Sequence, residues 1–201
     1  HRAVQGLAAY VLDGALDPTL SSDQVNLGQA QGFEQATRAF VTDCTRQQTC
    51  PLGSDVERGL QRLRDLVAGL DRRPLPTGDA ARPLTEGLGS LGVAVAMYDQ
   101  GYWPTLRAAL DAALGGDGAA LLTLSDAYSA RAADGTYASN QNTVIYAVNC
   151  LDRPDDGGLA TIQKALPRYR EAAPTWGDCL AWSQLPCAYW PVKGGAKPSS
   201  V

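Results

Sequence analysis

Serine residues are among the side chains in this sequence that could attack a carbonyl, but a serine does so only when a base takes its proton. Histidine is the usual base, and the single histidine of the chain is His1. The G-x-S-x-G turn that presents a nucleophile on an α/β scaffold is absent. Its nearest approach, Gly89-Ser90-Leu91-Gly92, has the wrong spacing and lies in an apolar segment. We therefore expect no catalytic group in this chain.

Cysteine usage favours disulfides over a metal site. The chain has five cysteines and one histidine, and none of the cysteines forms a C-x-x-C pair, so zinc is poorly supported. Two disulfides and one leftover thiol fit better, and they indicate an oxidising compartment outside the cytosol. There is also no P-loop and no H-E-x-x-H motif. We expect neither a metal nor a cofactor.

Charge and hydropathy exclude two further classes of partner. The net charge is −4, and the lysines and arginines are scattered, so no basic stripe is available to neutralise phosphates and nucleic-acid binding is not expected. The longest promising apolar run, Leu91 to Tyr98, is about two helical turns and far too short to cross a bilayer.

One buried strand is predicted near the start of the chain, where the continuous apolar run Leu7–Leu12 ends at Asp13-Gly14. Such a run is typical of a parallel strand covered on both faces. A parallel strand needs neighbours, and the rest of the sequence offers none, so we expect them to lie in sequence outside this chain.

Helices are predicted for most of the remaining sequence from apolar spacing and capping residues. Ser22 or Asp23 should cap the first helix, and Ser54 with Glu57 forms a capping box for the second. The segment Asn142–Val148 is apolar and β-branched, so its pattern fits a strand or a helix. The other predicted helices are Thr85–Tyr98, Trp103–Leu114, Gly118–Arg131 capped by Asp117, Leu159–Glu171 and Trp176–Trp182.

An ordered series of short motifs carries a family resemblance. It consists of Val11–Pro18, Cys44, Cys50-Pro51, Pro83–Gly87, Tyr102-Trp103-Pro104, Gly116–Gly118, Asp126–Tyr128, Ala147–Asp152 and Leu185–Pro191. In this order the motifs resemble the tripeptidyl-aminopeptidase-like branch of the α/β hydrolases, found among secreted and cell-envelope peptidases of actinobacteria. The resemblance also favours a helix for Asn142–Val148.

The resemblance implies a mainly α fold, namely the helical cap or lid inserted into an α/β hydrolase, with one orphan core strand at its start. Residues 1–18 would be a remnant of the core, 19–191 the cap and 192–201 the segment returning to the core. The catalytic serine of such an enzyme would precede His1, and its acid and histidine would follow Val201. The implied partners are the hydrolase core of the same protein and a peptide substrate.

The resemblance further implies the disulfides Cys44–Cys50 and Cys150–Cys187. Cys179 would then be a buried, unpaired thiol, with pairing to Cys150 or Cys187 as the alternative. Each disulfide would stabilise the fold by ~2–4 kcal/mol by restricting the unfolded chain.

Substrate binding by such a cap would require a partner for the free α-ammonium of a peptide, which carboxylate and amide oxygens provide. Asp152 is the best candidate, followed by Asn149 and Glu86. The alternative is structural, with Asp152 capping a turn and Glu86 favoured by the helix dipole. The large aromatic residues of the second half should mainly pack in the core or between the cap and the hydrolase core, with one or two, Trp190 among them, lining a pocket. They are Trp103, Trp176, Trp182, Tyr189 and Trp190.

Three hypotheses follow. The first is a cap of a secreted or cell-envelope serine exopeptidase that gates and shapes its peptide site, which predicts an exposed apolar surface where the core would sit. The second is a free-standing helical binding or structural module. The third is one chain of a nicked, active hydrolase.

Overall fold

The fold is helical throughout the part of the chain that the computed structural model describes, which is residues 16–17, 19–153, 157–192 and 194. A short 3₁₀ turn, Gln100–Tyr102, precedes the fourth helix. The α-helices are α1 (Ser22–Thr45), α2 (Val56–Arg72), α3 (Glu86–Tyr98), α4 (Trp103–Leu114), α5 (Ala119–Tyr128), α6 (Gln141–Asp152), α7 (Gly158–Ala172), α8 (Gly177–Trp182) and α9 (Leu185–Ala188). The mainly helical prediction is confirmed for these residues, while the predicted Leu7–Leu12 strand lies outside them.

The N-cap of the first helix precedes both predicted caps, Ser22 and Asp23, in the sequence. The N-cap of α1 is Ser21, whose Oγ accepts a hydrogen bond from the Gln24 N–H at 3.2 Å. The Gln24 side chain accepts in return from the Ser21 N–H at 2.9 Å. This reciprocal capping box satisfies two backbone donors at once, so the prediction of Ser22 or Asp23 as the cap is wrong.

The capping box predicted at the start of the second helix is also wrong. The N-cap of α2 is Asp55, and its Oδ1 accepts from the Arg58 N–H at 2.9 Å. Glu57 instead forms an ion pair with Arg38 of α1. A carboxylate one residue closer to the helix therefore replaces the Ser54 hydroxyl.

Close contact between α3 and α5 is possible because α3 carries small residues. A Cβ on Gly92 would collide with the main-chain carbonyl oxygen of Leu121 in α5, and a Cβ on Gly89 would lie 2.5 Å from Leu70 Cδ1 in α2. Both glycines are buried. Gly87, Gly89 and Gly92 also have the G-x-G-x-x-G spacing of dinucleotide-binding turns, but that motif must join a strand to a helix. Here it lies inside α3, where the glycines serve helix packing.

The core lies between the inner faces of α1, α2, α3, α4, α5 and α7. Phe40, Leu63 and Tyr169 are fully buried within it. One buried polar chain of the core runs from Trp176, whose Nε1–H donates to Thr37 Oγ1 at 2.8 Å, to Met97 Sδ, which accepts from that hydroxyl at 3.3 Å. Buried polar groups with partners cost little free energy, so this chain fixes Trp176 against α1.

The loop between α2 and α3 is fixed at two points. Leu75 and Leu84 exchange backbone hydrogen bonds in an isolated antiparallel bridge. Arg82 donates two hydrogen bonds to the Asp126 carboxylate of α5, at 2.8 and 2.7 Å. Hydrogen bonding to the guanidinium is the main cause that holds the pKa of Asp126 below its usual value.

The segment Asn142–Val148, which fits either strand or helix by sequence, is helical and belongs to α6. This helix packs mainly against α9, to which the Cys150–Cys187 disulfide joins it. Of its own residues only Cys150 is buried. Large apolar side chains along the helix are exposed within the described structure, namely Val144, Ile145, Tyr146, Val148 and Leu151.

Candidate ligand-binding groove

An open groove of about 500 Å³ lies among the helices of the described structure. This volume is in the range of sites that hold drug-sized ligands. Four helices provide most of its walls. The lining residues include Val25, Asn26, Gln29 and Phe33 from α1, Gly87, Ser90, Leu91, Ala94 and Tyr98 from α3, Asn142, Ile145, Tyr146 and Asn149 from α6, and Cys179 and Leu180 from α8.

Aromatic rings form a connected apolar part of the groove. The Phe33 ring lies 5.0 Å from the Trp176 ring and 5.4 Å, edge-on, from the Tyr98 ring. Tyr98 in turn lies 6.1 Å from Tyr128 at the end of α5. Such offset and edge-to-face pairs stabilise one another beyond the area they bury, so this part of the wall is preformed.

Amides and one cation supply the polar part of the groove. Asn149 and Asn142 project from α6, and Gln29 projects from α1. Arg153, the residue that follows α6, is the one member of the Arg, Lys, His, Asp and Glu group among the described lining residues. The groove is thus mostly neutral, with a single positive charge.

The Cys179 thiol also faces the groove. Cys179 is unpaired and exposed, so the prediction of an unpaired thiol agrees with the structure while the prediction of burial does not. Desolvation by the groove walls is the main cause that raises the pKa of this thiol, and the charge of Glu86 adds to it. A thiol held in its protonated form is a weak nucleophile. The pKa of Tyr128 is raised to about 12, chiefly by desolvation and then by its hydrogen bond to Tyr98.

The predicted ammonium-binding residues are not brought together in one place. Asn149 lines the groove, whereas Asp152, Glu86 and Trp190 are not among its described lining residues. Asp152 is the exposed last residue of α6. Glu86 is the first residue of α3, and desolvation followed by the charges of Asp71 and Asp178 raises its pKa. Their roles in binding stay predictions.

The other predicted aromatic packing residues differ in their surroundings. Trp176 is buried and lines the groove, and the Trp103 indole N–H donates to the Ala96 carbonyl at 3.1 Å. Tyr189 is 72% exposed, so it does not pack in the core of the described structure, and its packing between the cap and the hydrolase core stays a prediction. Sequence reasoning also missed Phe33, Tyr98 and Arg153 as groove residues, because four segments distant in sequence meet here.

Both disulfides implied by the resemblance are present. Cys44 is joined to Cys50, which closes the end of α1 onto the following turn, and Cys150 is joined to Cys187. The second bond holds α6 as one wall of the groove, because few other contacts connect that helix to the rest of the described structure.

The described lining residues offer serine hydroxyls but no base beside them. Ser90 is the serine of the predicted near-match, and it lies in the lining. No histidine, carboxylate or lysine accompanies it among the described lining residues, so its hydroxyl has no base there. The described residues also contain no cluster of histidine, cysteine or carboxylate side chains suited to a metal ion, and none of their helices has the length and hydropathy to span a membrane.

Comparison with known proteins identifies hydrolases as relatives. Carboxylesterase B of Mycobacterium tuberculosis is 35% identical over 194 residues, which cover 94% of this chain and 37% of that protein. Serine protease Hip1 of the same species is 31% identical over 207 residues, covering 98% of this chain and 39% of that protein. No protein-family model matches the chain. These similarities support a hydrolase family, and the chain spans less than two fifths of the length of these relatives.

Proposed function

We propose that this chain is the helical cap of a secreted or cell-envelope serine exopeptidase of the tripeptidyl-aminopeptidase-like type. The observation that carries the proposal is the coverage of the relatives. Nearly the whole chain aligns with a minority of each relative, and those relatives bear the names of enzymes whose hydrolytic machinery this groove lacks. In this proposal the chain is the part of a hydrolase that shapes the substrate site without supplying the nucleophile.

The exposed apolar side chains of α6 support the same proposal. A helix that is apolar on many sides is normally buried against other parts of a protein. In α6, however, 43% of Val144, 44% of Ile145 and 48% of Val148 are exposed. In the proposed enzyme, this surface and the groove beside it would face the hydrolase core. Substrate would enter between the two bodies, and α6 would form a wall of the entry.

Secretion is proposed on the strength of the disulfides. Both Cys44–Cys50 and Cys150–Cys187 form in the structure, and such bonds persist in oxidising compartments. The exopeptidase activity and the peptide substrate are proposals for the full-length protein.

A serine-reactive fluorophosphonate probe tests the cap assignment. The full-length protein and residues 1–201 alone are treated in parallel, and the labelled residue is located by peptide mapping. We expect one labelled serine in the full-length protein, outside residues 1–201, and no labelling of the shorter chain. A label within residues 1–201 would show that this chain carries the nucleophile, and an unlabelled full-length protein would favour the free-standing binding module.

The exopeptidase assignment needs its own measurement. The full-length protein is assayed on a peptide with a free amino terminus, on the same peptide acetylated there, and on a p-nitrophenyl ester. We expect acetylation to abolish cleavage, because a capped amine has no ammonium to bind. Equal cleavage of both peptides, or cleavage of the ester alone, would contradict this assignment. Asp152→Asn, Asn149→Ala and Glu86→Gln then test the three predicted ammonium ligands by their effect on KM.

A further inference from the structure

The Arg153 side chain lines the groove, and one of its nitrogen atoms has no hydrogen-bond partner within the described structure. Its Nε atom is buried, and no hydrogen-bond acceptor within the described structure reaches it. No described carboxylate forms an ion pair with its guanidinium either. By contrast, six other arginines of the described fold are in ion pairs, namely Arg38, Arg82, Arg107, Arg131, Arg168 and Arg170. A buried guanidinium N–H that makes no hydrogen bond costs free energy. A ligand atom that accepts a hydrogen bond from this Nε–H would therefore be stabilised.

The backbone of Arg153 makes hydrogen bonds on both sides, whereas the Nε atom of its side chain makes none within the described structure. Its N–H donates to the Asn149 carbonyl at 2.9 Å, and its carbonyl accepts from the Ser22 hydroxyl of α1 at 2.7 Å. The guanidinium is thus presented from an anchored segment between α6 and α1. Anchoring lowers the entropic cost of binding a ligand at that position.

The positive charge of Arg153 in the groove favours an anionic ligand. Arg153 is the single charged side chain of the described lining, and the walls beside it are aromatic, aliphatic and amide. A guanidinium with planar N–H donors matches a carboxylate, which it binds through two parallel hydrogen bonds. Asn149 and Asn142 offer a donor and an acceptor each, which suits the backbone of a peptide.

We propose that the groove binds the carboxylate end of a short peptide, with Arg153 holding the terminal carboxylate and the Phe33–Trp176 wall receiving an apolar side chain. In the enzyme proposed above this ligand would be a short peptide substrate or product, and in that respect the inference rests on the proposed function. The volume of about 500 Å³ limits the ligand to a few residues. The groove therefore reads the carboxyl terminus, while the predicted ammonium ligands Asp152 and Glu86 lie outside it.

Calorimetry with matched ligands tests the inference on the full-length protein. The ligands are the tripeptide Ala-Ala-Phe with a free carboxylate, its C-terminal amide and octanoate. We expect the free acid to bind ~10-fold or more tightly than the amide, the difference that a charge-assisted hydrogen-bonded pair supports. Arg153→Met should reduce binding of the acid to the level of the amide, and Arg153→Lys should retain part of the difference. Arg62→Met removes an exposed charge of α2, away from the groove, and should leave the ratio unchanged.

Alkylation of Cys179 provides a second readout that does not depend on turnover. The thiol lines the same groove, so the free acid should slow its reaction with iodoacetamide in the wild type and lose this effect in Arg153→Met. Circular dichroism of each variant checks that the fold is intact.

Several results would overturn the inference. The first is equal binding of the acid and the amide, and the second is no binding of either. The third is that Arg153→Met weakens the binding of both ligands alike, which is expected if Arg153 only pairs with another part of the protein. Tighter binding of octanoate than of the tripeptide would show that the groove takes an acyl chain. Fluorophosphonate labelling reports separately on the proposed function. A labelled protein without acid preference refutes this inference alone, and an acid preference that depends on Arg153 in an unlabelled protein refutes the cap assignment alone.

Discussion

Replacement of Gly92 by alanine should destabilise the fold even though alanine is the better helix former. In the interior of a helix this change gains ~0.8–1 kcal/mol from backbone propensity. The structure opposes that gain, because the new Cβ would lie 3.0 Å from Leu121 Cδ1 and would collide with the Leu121 carbonyl oxygen. The leucine side chain can rotate away, but the carbonyl belongs to the backbone of α5.

The size of the effect follows from that collision. Overpacking of a core contact costs ~1–3 kcal/mol, and with the propensity gain subtracted the free energy of unfolding should fall by about 1 kcal/mol. Gly32→Ala is the matched control. Gly32 is an exposed glycine inside α1 with no heavy atom within 4 Å of the added Cβ, so this variant should be more stable by ~0.5–1 kcal/mol.

Equilibrium urea denaturation of the two variants and the wild type, followed by far-UV circular dichroism, measures both changes. The two midpoints should move in opposite directions with unchanged slope. The reasoning about the α3–α5 contact would be refuted if Gly92→Ala were as stable as Gly32→Ala, because α5 would then have room to move. That result would also weaken the argument for a preformed groove wall, because Tyr98 of α3 and Tyr128 of α5 belong to that wall.

Three further outcomes are expected. Asp126→Asn should destabilise the chain by about 1 kcal/mol at pH 7 in thermal melts. The pKa of Asp126 is lower in the folded protein than in the unfolded chain. The loss of stability should therefore be complete at pH values above the unfolded-state pKa of about 4, and it should disappear as the pH falls through the folded-state pKa. A loss independent of pH would contradict the ion pair with Arg82. Replacing Cys150 and Cys187 by serine should increase hydrogen exchange in α6 while α3 and α5 keep their protection, and a uniform increase would show that the bond supports the whole fold. Mass spectrometry after alkylation without reductant should find one modified cysteine, Cys179, and modification of further cysteines would contradict the two disulfides.

The helices could be predicted from sequence because their apolar spacing is a local property. Trp103–Leu114 was predicted with the bounds that the structure shows for α4. Helix starts were less predictable, since Ser21, Ser22 and Asp23 are all good caps and the choice depends on which side chain also meets Gln24. The segment within α6 was undecided because its apolar residues occur without a helical period, and only the family resemblance favoured the helix.

The groove could not be predicted in the same way, because its walls come from segments far apart in the chain. Phe33 of α1 and Trp176 before α8 are separated by most of the sequence, yet their rings lie 5.0 Å apart. Arg153 looks in sequence like any surface arginine, and its unpartnered Nε depends on how α6 lies over α1. The acidic candidates are predicted from the ability of a carboxylate to bind an ammonium and, for Asp152, from its position just after Cys150, and neither property tells which side chain faces the groove.

The position of α6 links the groove to the proposed function. A free-standing module would be expected to bury this apolar helix, as an exposed apolar patch on a soluble protein invites association. Instead α6 is joined to the described fold by one disulfide, its contact with α9 and the anchored backbone of Arg153. If the hydrolase core covers α6 in the full-length protein, the groove becomes a closed passage to which the described part of this chain contributes one charged residue, Arg153. Closure would remove water from around the guanidinium and strengthen its attraction for a carboxylate. The preference for the free acid should therefore be larger in the full-length protein than in residues 1–201 alone, and an equal preference in both would indicate that the core does not cover this helix.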